Sequence, residues 1–175
     1  MVGIGGRPVT GIIADLPVRE DGSLEADATL AATDGVWAAG DVAGWPDPRT
    51  GERLRSEHWR VALQQGRTAA RNMLAPGSTP FDAVPFFWTV QAGATLGYVG
   101  HAPRFDEVVG DGDLDALDAV ACYVSGDRTV AALTVGRDRT LAAIHELLRA
   151  GAMPRAREVR EGDVDWEARA AALRR

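Results

Sequence analysis

The stretch "DGVWAAGDVAGWPD", residues 34–47, decides how this chain is read. Val36 to Ala39 is apolar on both faces, the pattern of an interior strand in a parallel sheet covered by helices. It runs straight into Gly40 and Asp41, a hinge and a carboxylate at the carboxyl end of that strand. Asp41 has two readings. It is a turn residue that bonds nearby backbone, or it holds a ligand hydroxyl, because open α/β sheets bind ligands outside the carboxyl ends of their strands. A lone interior strand cannot satisfy its own backbone groups, and residues 1 to 79 offer almost no partner strands. The chain therefore reads as the carboxyl portion of a larger protein.

Composition narrows the function classes. With 175 residues and 46% hydrophobic content the chain is an ordinary globular one. No apolar run approaches the roughly 18 residues of a membrane span, and "MVGIGGRPVTG" lacks the features of a signal peptide, so a cytoplasmic protein with no membrane partner is expected. The net charge of −6 speaks against a nucleic-acid partner. All 19 basic residues are Arg, which leaves no lysine for Schiff-base chemistry. Cys122 stands alone inside "AVACYVS" and reads as a small buried hydrophobe. No His, Cys and carboxylate spacing suggests a metal site, and no Ser-His-Asp or Cys-His arrangement supports hydrolysis. No catalytic side chain is assigned.

Working outward, Gly3, Gly5 and Pro8 give G-x-G-x-x-P, which is not a dinucleotide fingerprint because a proline follows where a helix should begin. "LPVREDGSLEAD" reads as a hairpin turning at Asp21-Gly22. A helix is expected over "EHWRVALQQGRTAARNML", capped by Ser56, with Trp59, Ala62, Leu63, Gly66, Ala70 and Met73 at helical spacing on one face. Residues 75 to 85 have linker composition. Beyond them short strands alternate with turns, "PFFWTVQ", "TLGYVG", "FDEVVG", "DAVACYV" and "TVAALTV", followed by the helix "TLAAIHELLRAG" with Thr140 as cap and Gly151 as stop. The expected fold is an α/β fragment over residues 1–79, an α+β domain of a small antiparallel sheet and a helix over 80–153, and a charged tail over 154–175 with one marginal helix.

In their order and spacing, "VGIGGRP", "TDGVWAAGDVA", "RSEHWRVALQQGRTAARNML" and "VPFFWTVQAG…YVGHA" resemble the carboxyl third of FAD-dependent pyridine-nucleotide oxidoreductases of the ferredoxin reductase and apoptosis-inducing factor type. The resemblance covers about residues 1 to 150. It implies that residues 1–79 are the carboxyl side of a FAD-binding domain and 80–153 the reductase C-terminal domain. It implies FAD as cofactor, with Asp41 on a ribityl hydroxyl, Glu57 and His58 toward the nicotinamide, and His58, Trp59 and Trp88 against the flavin. Without the family, Trp59 and Trp88 read as core residues and His58 as a surface residue. The implied reaction passes electrons from NAD(P)H through FAD to a [2Fe–2S] ferredoxin or Rieske partner. Trp88-Thr89-Val90-Gln91 departs from the W-S-D-Q of many ferredoxin reductases, and "FFWT" is nearer the apoptosis-inducing-factor branch. Both G-x-G-x-x-G turns are missing, so the expectation is a portion that is not competent alone, completed by a chain carrying those motifs. The competing reading is a non-enzymatic α+β interaction or dimerisation module.

Overall fold

The structure, a computed structural model, describes residues 5–13, 15–162 and 164–174. Val2, Gly3 and Ile4 of the first glycine-rich motif lie outside them. The chain divides into two compact units, Met1–Ala83 and Val84–Arg175. Among the described residues no helix is long and apolar enough to cross a membrane.

In the first unit, the expected hairpin turn forms: Gly22 N donates to Arg19 O at 2.9 Å and Arg19 N to Ser23 O at 2.8 Å. It delivers the chain into β1 (Leu24–Glu25), followed by β2 (Ala31–Thr33), β3 (Val36–Trp37), β4 (Ala43–Pro46) and β5 (Arg53–Leu54). The expected interior strand is corrected here. Only Val36 and Trp37 are in a strand, and they pair antiparallel with β2 in a two-stranded hairpin. The parallel pairing lies one step later, where Leu24 faces Ala43 and Glu25 faces Gly44 in the sheet β1-β4-β5. Asp41 accordingly stands just ahead of the amino end of β4. The reason is partner supply, because β2 pairs only with Val36 and Trp37, and Ala38 N turns instead to Leu30 O at 2.9 Å, outside that ladder.

The helix α1 (Trp59–Leu74) carries the second correction. Its cap is His58, not Ser56: the imidazole Nδ1 accepts from Arg60 N at 3.3 Å. Its buried face is Val61, Gln65, Thr68, Ala69 and Asn72, whereas Trp59, Leu63, Gly66, Ala70 and Met73 are exposed. The inward face is polar because it packs over loops whose backbone groups need partners. Asn72 Nδ2 donates to the carbonyls of Thr29 at 2.9 Å and Thr79 at 2.7 Å, and its Oδ1 accepts from Thr79 N at 3.0 Å. A core of Leu30, Trp45, Leu54, Val61, Ala69 and Phe81 fills the remaining space, with Phe81 edge-on to Trp45 at 5.4 Å between centroids.

The second unit is a five-stranded antiparallel sheet in the order β6-β7-β10-β9-β8. Its strands are β6 (Phe86–Gln91), β7 (Ala94–Gly100), β8 (Glu107–Asp113), β9 (Asp118–Ser125) and β10 (Arg128–Val135). Alternation places Val99, Val120, Cys122 and Ala132 on one face, where they meet Leu141, Ile144, Leu147 and Leu148 of α2 (Asp138–Arg149). The cap of α2 is Arg137, not Thr140, whose hydroxyl instead donates to Glu167 at 2.9 Å. Arg137 also clasps β8 to β9, with Nη1 on Asp111 at 2.6 Å and Nε on Asp118 at 2.7 Å. Gly151 ends α2 in the left-handed region at φ +64°. The charged tail is more ordered than the one marginal helix expected: α3 (Ala156–Glu161) and α4 (Trp166–Ala172) place Val159 and Trp166 in the same core as α2. The architecture of this unit is the antiparallel sheet plus helix that the strand pattern calls for.

Candidate functional site

In the first unit, Glu57, His58 and Trp59 follow one another into the amino terminus of α1, and Asp41 lies in the turn between β3 and β4. Two side chains not singled out from the sequence hold these segments in place. From inside α1, Gln65, fully buried, accepts from Gly40 N at 2.7 Å. Gly40 has φ +80°, and a Cβ there would sit 3.5 Å from the Ala62 methyl, so the helix and the turn are in close contact. Ala43 N returns to Gly40 O at 2.9 Å and closes the turn around Asp41.

From outside, Arg55 reaches three segments. Its Nη1 donates to the Asp41 carbonyl at 3.3 Å and its Nη2 to Glu57 Oε1 at 2.7 Å, while its Nε lies 3.4 Å from Asp21 Oδ2. The second oxygen of Glu57 accepts from Gly6 N at 3.3 Å. One guanidinium and one carboxylate thus join the glycine-rich segment, the hairpin turn, the Asp41 turn and the start of α1. The network is solvent-accessible and adds little stability, but its fork geometry fixes relative position.

The Asp41 carboxylate is exposed and takes no hydrogen bond or ion pair from the other described residues; only its backbone carbonyl is engaged. It stands as an available acceptor. His58 is held neutral: burial, and after it the Arg60 guanidinium, lowers its pKa from the ordinary 6.5. The lone pair on Nδ1 accepts the capping bond from Arg60 N. The imidazole and the Trp59 indole lie 5.7 Å apart at 34°, and Trp59 is 61% exposed. It is a surface residue, not the core residue that its helical spacing alone suggests. A carboxylate acceptor, the positive end of a sixteen-residue helix and an accessible indole suit a flat polar ring system carrying hydroxyls and negative charge.

Trp88 belongs to the second unit, opposite Gly97 on β6. It is 42% exposed, with its ring 5.9 Å from that of Phe86. His145 lies on α2 with Nδ1 3.2 Å from Glu146 and its ring edge-on to Phe86 at 6.0 Å. Cys122 is buried, and burial pushes its thiol up to about 12. The unit also has an open cavity of about 560 Å³ lined by Arg137, Asp111, Asp118, Thr140 and Glu167, whose polar groups already pair with one another. No group of three or more potential ligands among the described residues is placed to hold a metal ion.

Residues 86–170, nearly all of the second unit, match the family described as Reductase C-terminal. The second unit is a reductase C-terminal domain. Relatives extend the likeness to the first unit. Human apoptosis-inducing factor 3 is 34% identical over 177 residues, covering 95% of this chain and 29% of its own length. The anthranilate 1,2-dioxygenase system ferredoxin–NAD(+) reductase component of Burkholderia cepacia is 31% identical over 88% of this chain and 38% of its own. The crystal structure of the ferredoxin reductase for the CYP199A2 system from Rhodopseudomonas palustris superposes with a TM-score of 0.84 at 27% identity, over 96% of this chain and 42% of that one. The covalent putidaredoxin reductase–putidaredoxin complex gives the same score at 25% identity, over 98% and 41%. The chain thus pairs a reductase C-terminal domain with a preceding unit shared by these proteins, and it spans between three-tenths and about two-fifths of their length.

Proposed function

We propose that these residues form the carboxyl-terminal portion of a flavoprotein reductase that passes electrons from NAD(P)H through FAD to a [2Fe–2S] ferredoxin or Rieske-type partner. The observation that carries this reading is the Asp41 turn, held from beneath by Gln65 and at its side by Arg55, with its carboxylate left open. A carboxylate built into so constrained a turn yet bonded to no described neighbour is suited to a ligand hydroxyl. The residues fit the flavin end of FAD. Asp41 would take a ribityl hydroxyl, and the amino terminus of α1 would favour negative charge on the pyrimidine ring. His58 and Trp59 would border the ring system, with Glu57 toward the nicotinamide. Trp88 is proposed as the second unit's own contact to the flavin ring. Bound FAD supplies the capacity to accept hydride and release single electrons; the protein orients it and stabilises its charge. The chain carries neither G-x-G-x-x-G turn for the pyrophosphates, so it is proposed to be incompetent without a complementing portion that has them.

Titration of the purified chain with FAD, followed by flavin fluorescence, tests this. Weak reversible binding is expected, lost on desalting. A charge-assisted hydrogen bond is worth about 1.5 to 3 kcal/mol, so Asp41→Ala should weaken binding roughly ten- to a hundredfold. Equal binding by wild type and Asp41→Ala would remove Asp41 from the site. Flavin retained through desalting would overturn the claim of incompetence.

A further inference from the structure

The open cavity of the second unit has no part in the flavin reading, and its walls are built rather than collapsed. A five-stranded sheet with strands about 4.8 Å apart is roughly twice as wide as a helix about 10 Å across. The helix α2 packs along β7 and β10, so the inward face of β9 and β8 falls outside its width. Val120 and Cys122 of β9 and Val109 of β8 form the floor left there. The short helices α3 and α4 stand at the sides of this floor, contributing Val159 and Trp166. Polar clasps hold them in that position: Arg160 of α3 to Glu107 of β8, Arg169 of α4 to Glu158 of α3 at 2.7 Å, and Thr140 Oγ1 of α2 to Glu167 of α4 at 2.9 Å. The space kept open, about 560 Å³, is within the range of pockets that take small molecules, about 300 to 1,000 Å³.

Charge selects what enters it. Around the apolar floor the described lining carries four carboxylates, Asp111, Asp118, Asp138 and Glu167, against two guanidiniums, Arg137 and Arg139. Arg137 is shared by Asp111 and Asp118, which leaves that cluster one negative charge in excess. Asp138 and Arg139 offset each other in charge. Glu167 accepts the Thr140 hydroxyl on Oε1 and is bridged to no cation among the described residues, so its Oε2 is open. Asp138, in the first turn of α2, already answers the positive end of that helix, which removes the usual reason for an anion to bind there. The mouth is thus negative over an apolar floor, and low-dielectric walls strengthen its pull on a cation. We propose that the cavity binds a small organic cation, an aromatic amine whose apolar body lies over Val109, Val120 and Trp166 and whose ammonium group pairs with Glu167 Oε2. The site lies wholly within the second unit and is independent of the flavin reading.

The test titrates the 175-residue chain with three probes of similar shape, naphthylethylamine, naphthylethanol and naphthylacetate, followed by backbone amide NMR. The amine should shift the amides of residues 109–111, 136–140 and 164–167 and bind about tenfold more tightly than the acid, with the gap narrowing as salt rises. Glu167→Gln keeps an acceptor for Thr140 and removes one charge. It should weaken the amine about two- to fivefold and leave the alcohol unchanged. Val109→Phe, which fills the floor, should abolish binding of all three probes. Thermal melts identify a variant that unfolds, and Val164→Trp fills the cavity from the tail side should Val109→Phe do so. The proposal falls if millimolar amine shifts nothing, if the acid binds as tightly as the amine, if Glu167→Gln weakens amine and alcohol alike, or if the filled variants bind as wild type does. Shifts confined to residues outside the cavity would give the probe an adventitious surface and overturn it too. No flavin is present, so failure of the FAD titration and failure here are separate results.

Discussion

Removing the Asn72 side chain is the sharpest test of how the first unit is held together. In Asn72→Ala, Thr79 N loses its acceptor at 3.0 Å, and the carbonyls of Thr29 and Thr79 lose donors at 2.9 and 2.7 Å. All three are backbone groups in part-buried positions, and leaving such a group unpaired costs about 1 to 3 kcal/mol. Taking the low end for each, because water reaches part of the surface, the loss is about 3 kcal/mol. A large share of the stability of an ordinary domain, about 5 to 15 kcal/mol, would go with one side chain. Urea unfolding followed by tryptophan fluorescence reads the effect, since Trp45 of the same unit is completely buried. Arg71→Ala, the exposed neighbouring position, is the control and should change the midpoint little. Asn72→Asp is more informative still. It keeps an acceptor for Thr79 N but sets a carboxylate against two carbonyls, so it should be no better than Ala. A loss under about 1 kcal/mol in Asn72→Ala would refute the idea that α1 faces inward in order to satisfy loop backbone.

Three further outcomes are expected. The folded-state pKa of His58 lies below 6.5, so the unfolded chain binds the extra proton first; stability should be intact above about pH 6.5 and fall as pH drops below it. His58→Asn, which caps without titrating there, should flatten that part of a pH series of thermal melts. Gly66→Ala should stabilise the free chain by about 0.8 to 1 kcal/mol in urea titrations, because helix propensity rises and no atom obstructs the new methyl. With its thiol pushed up to about 12, Cys122 should react with a thiol reagent at pH 8 only as fast as the second unit opens, and immediately in denaturant.

Much of the second unit was legible because each strand of the sheet is long enough to show its alternation and is bounded by turn residues, as at Ser125-Gly126-Asp127-Arg128. The first unit was harder for two physical reasons. Val36 to Ala39 is apolar, but apolarity does not supply a ladder partner, and only Val36 and Trp37 find one in β2. In α1 the 3.6-residue period was legible but the inward side was not, since an inward face can be polar when the surface beneath it is loop backbone. Asp41, Glu57, His58, Trp59 and Trp88 were legible as candidates through motif order. Gln65, Arg55 and Asn72 were not, because their partners lie 25, 14 and 43 residues away and nothing in local spacing announces them.

The Arg137 clasp ends the sheet as well as joining β8 to β9. Strand β8 is a rim whose unpaired backbone could recruit a strand from another molecule. Its second half reads Gly110-Asp111-Gly112-Asp113, with Gly112 twisted to φ +100° and Asp111 occupied by the guanidinium. An incoming strand would meet acidic side chains, a distorted ladder and little apolar surface. The rim acts as a guard against runaway strand addition, and it limits the sheet to five strands on that side.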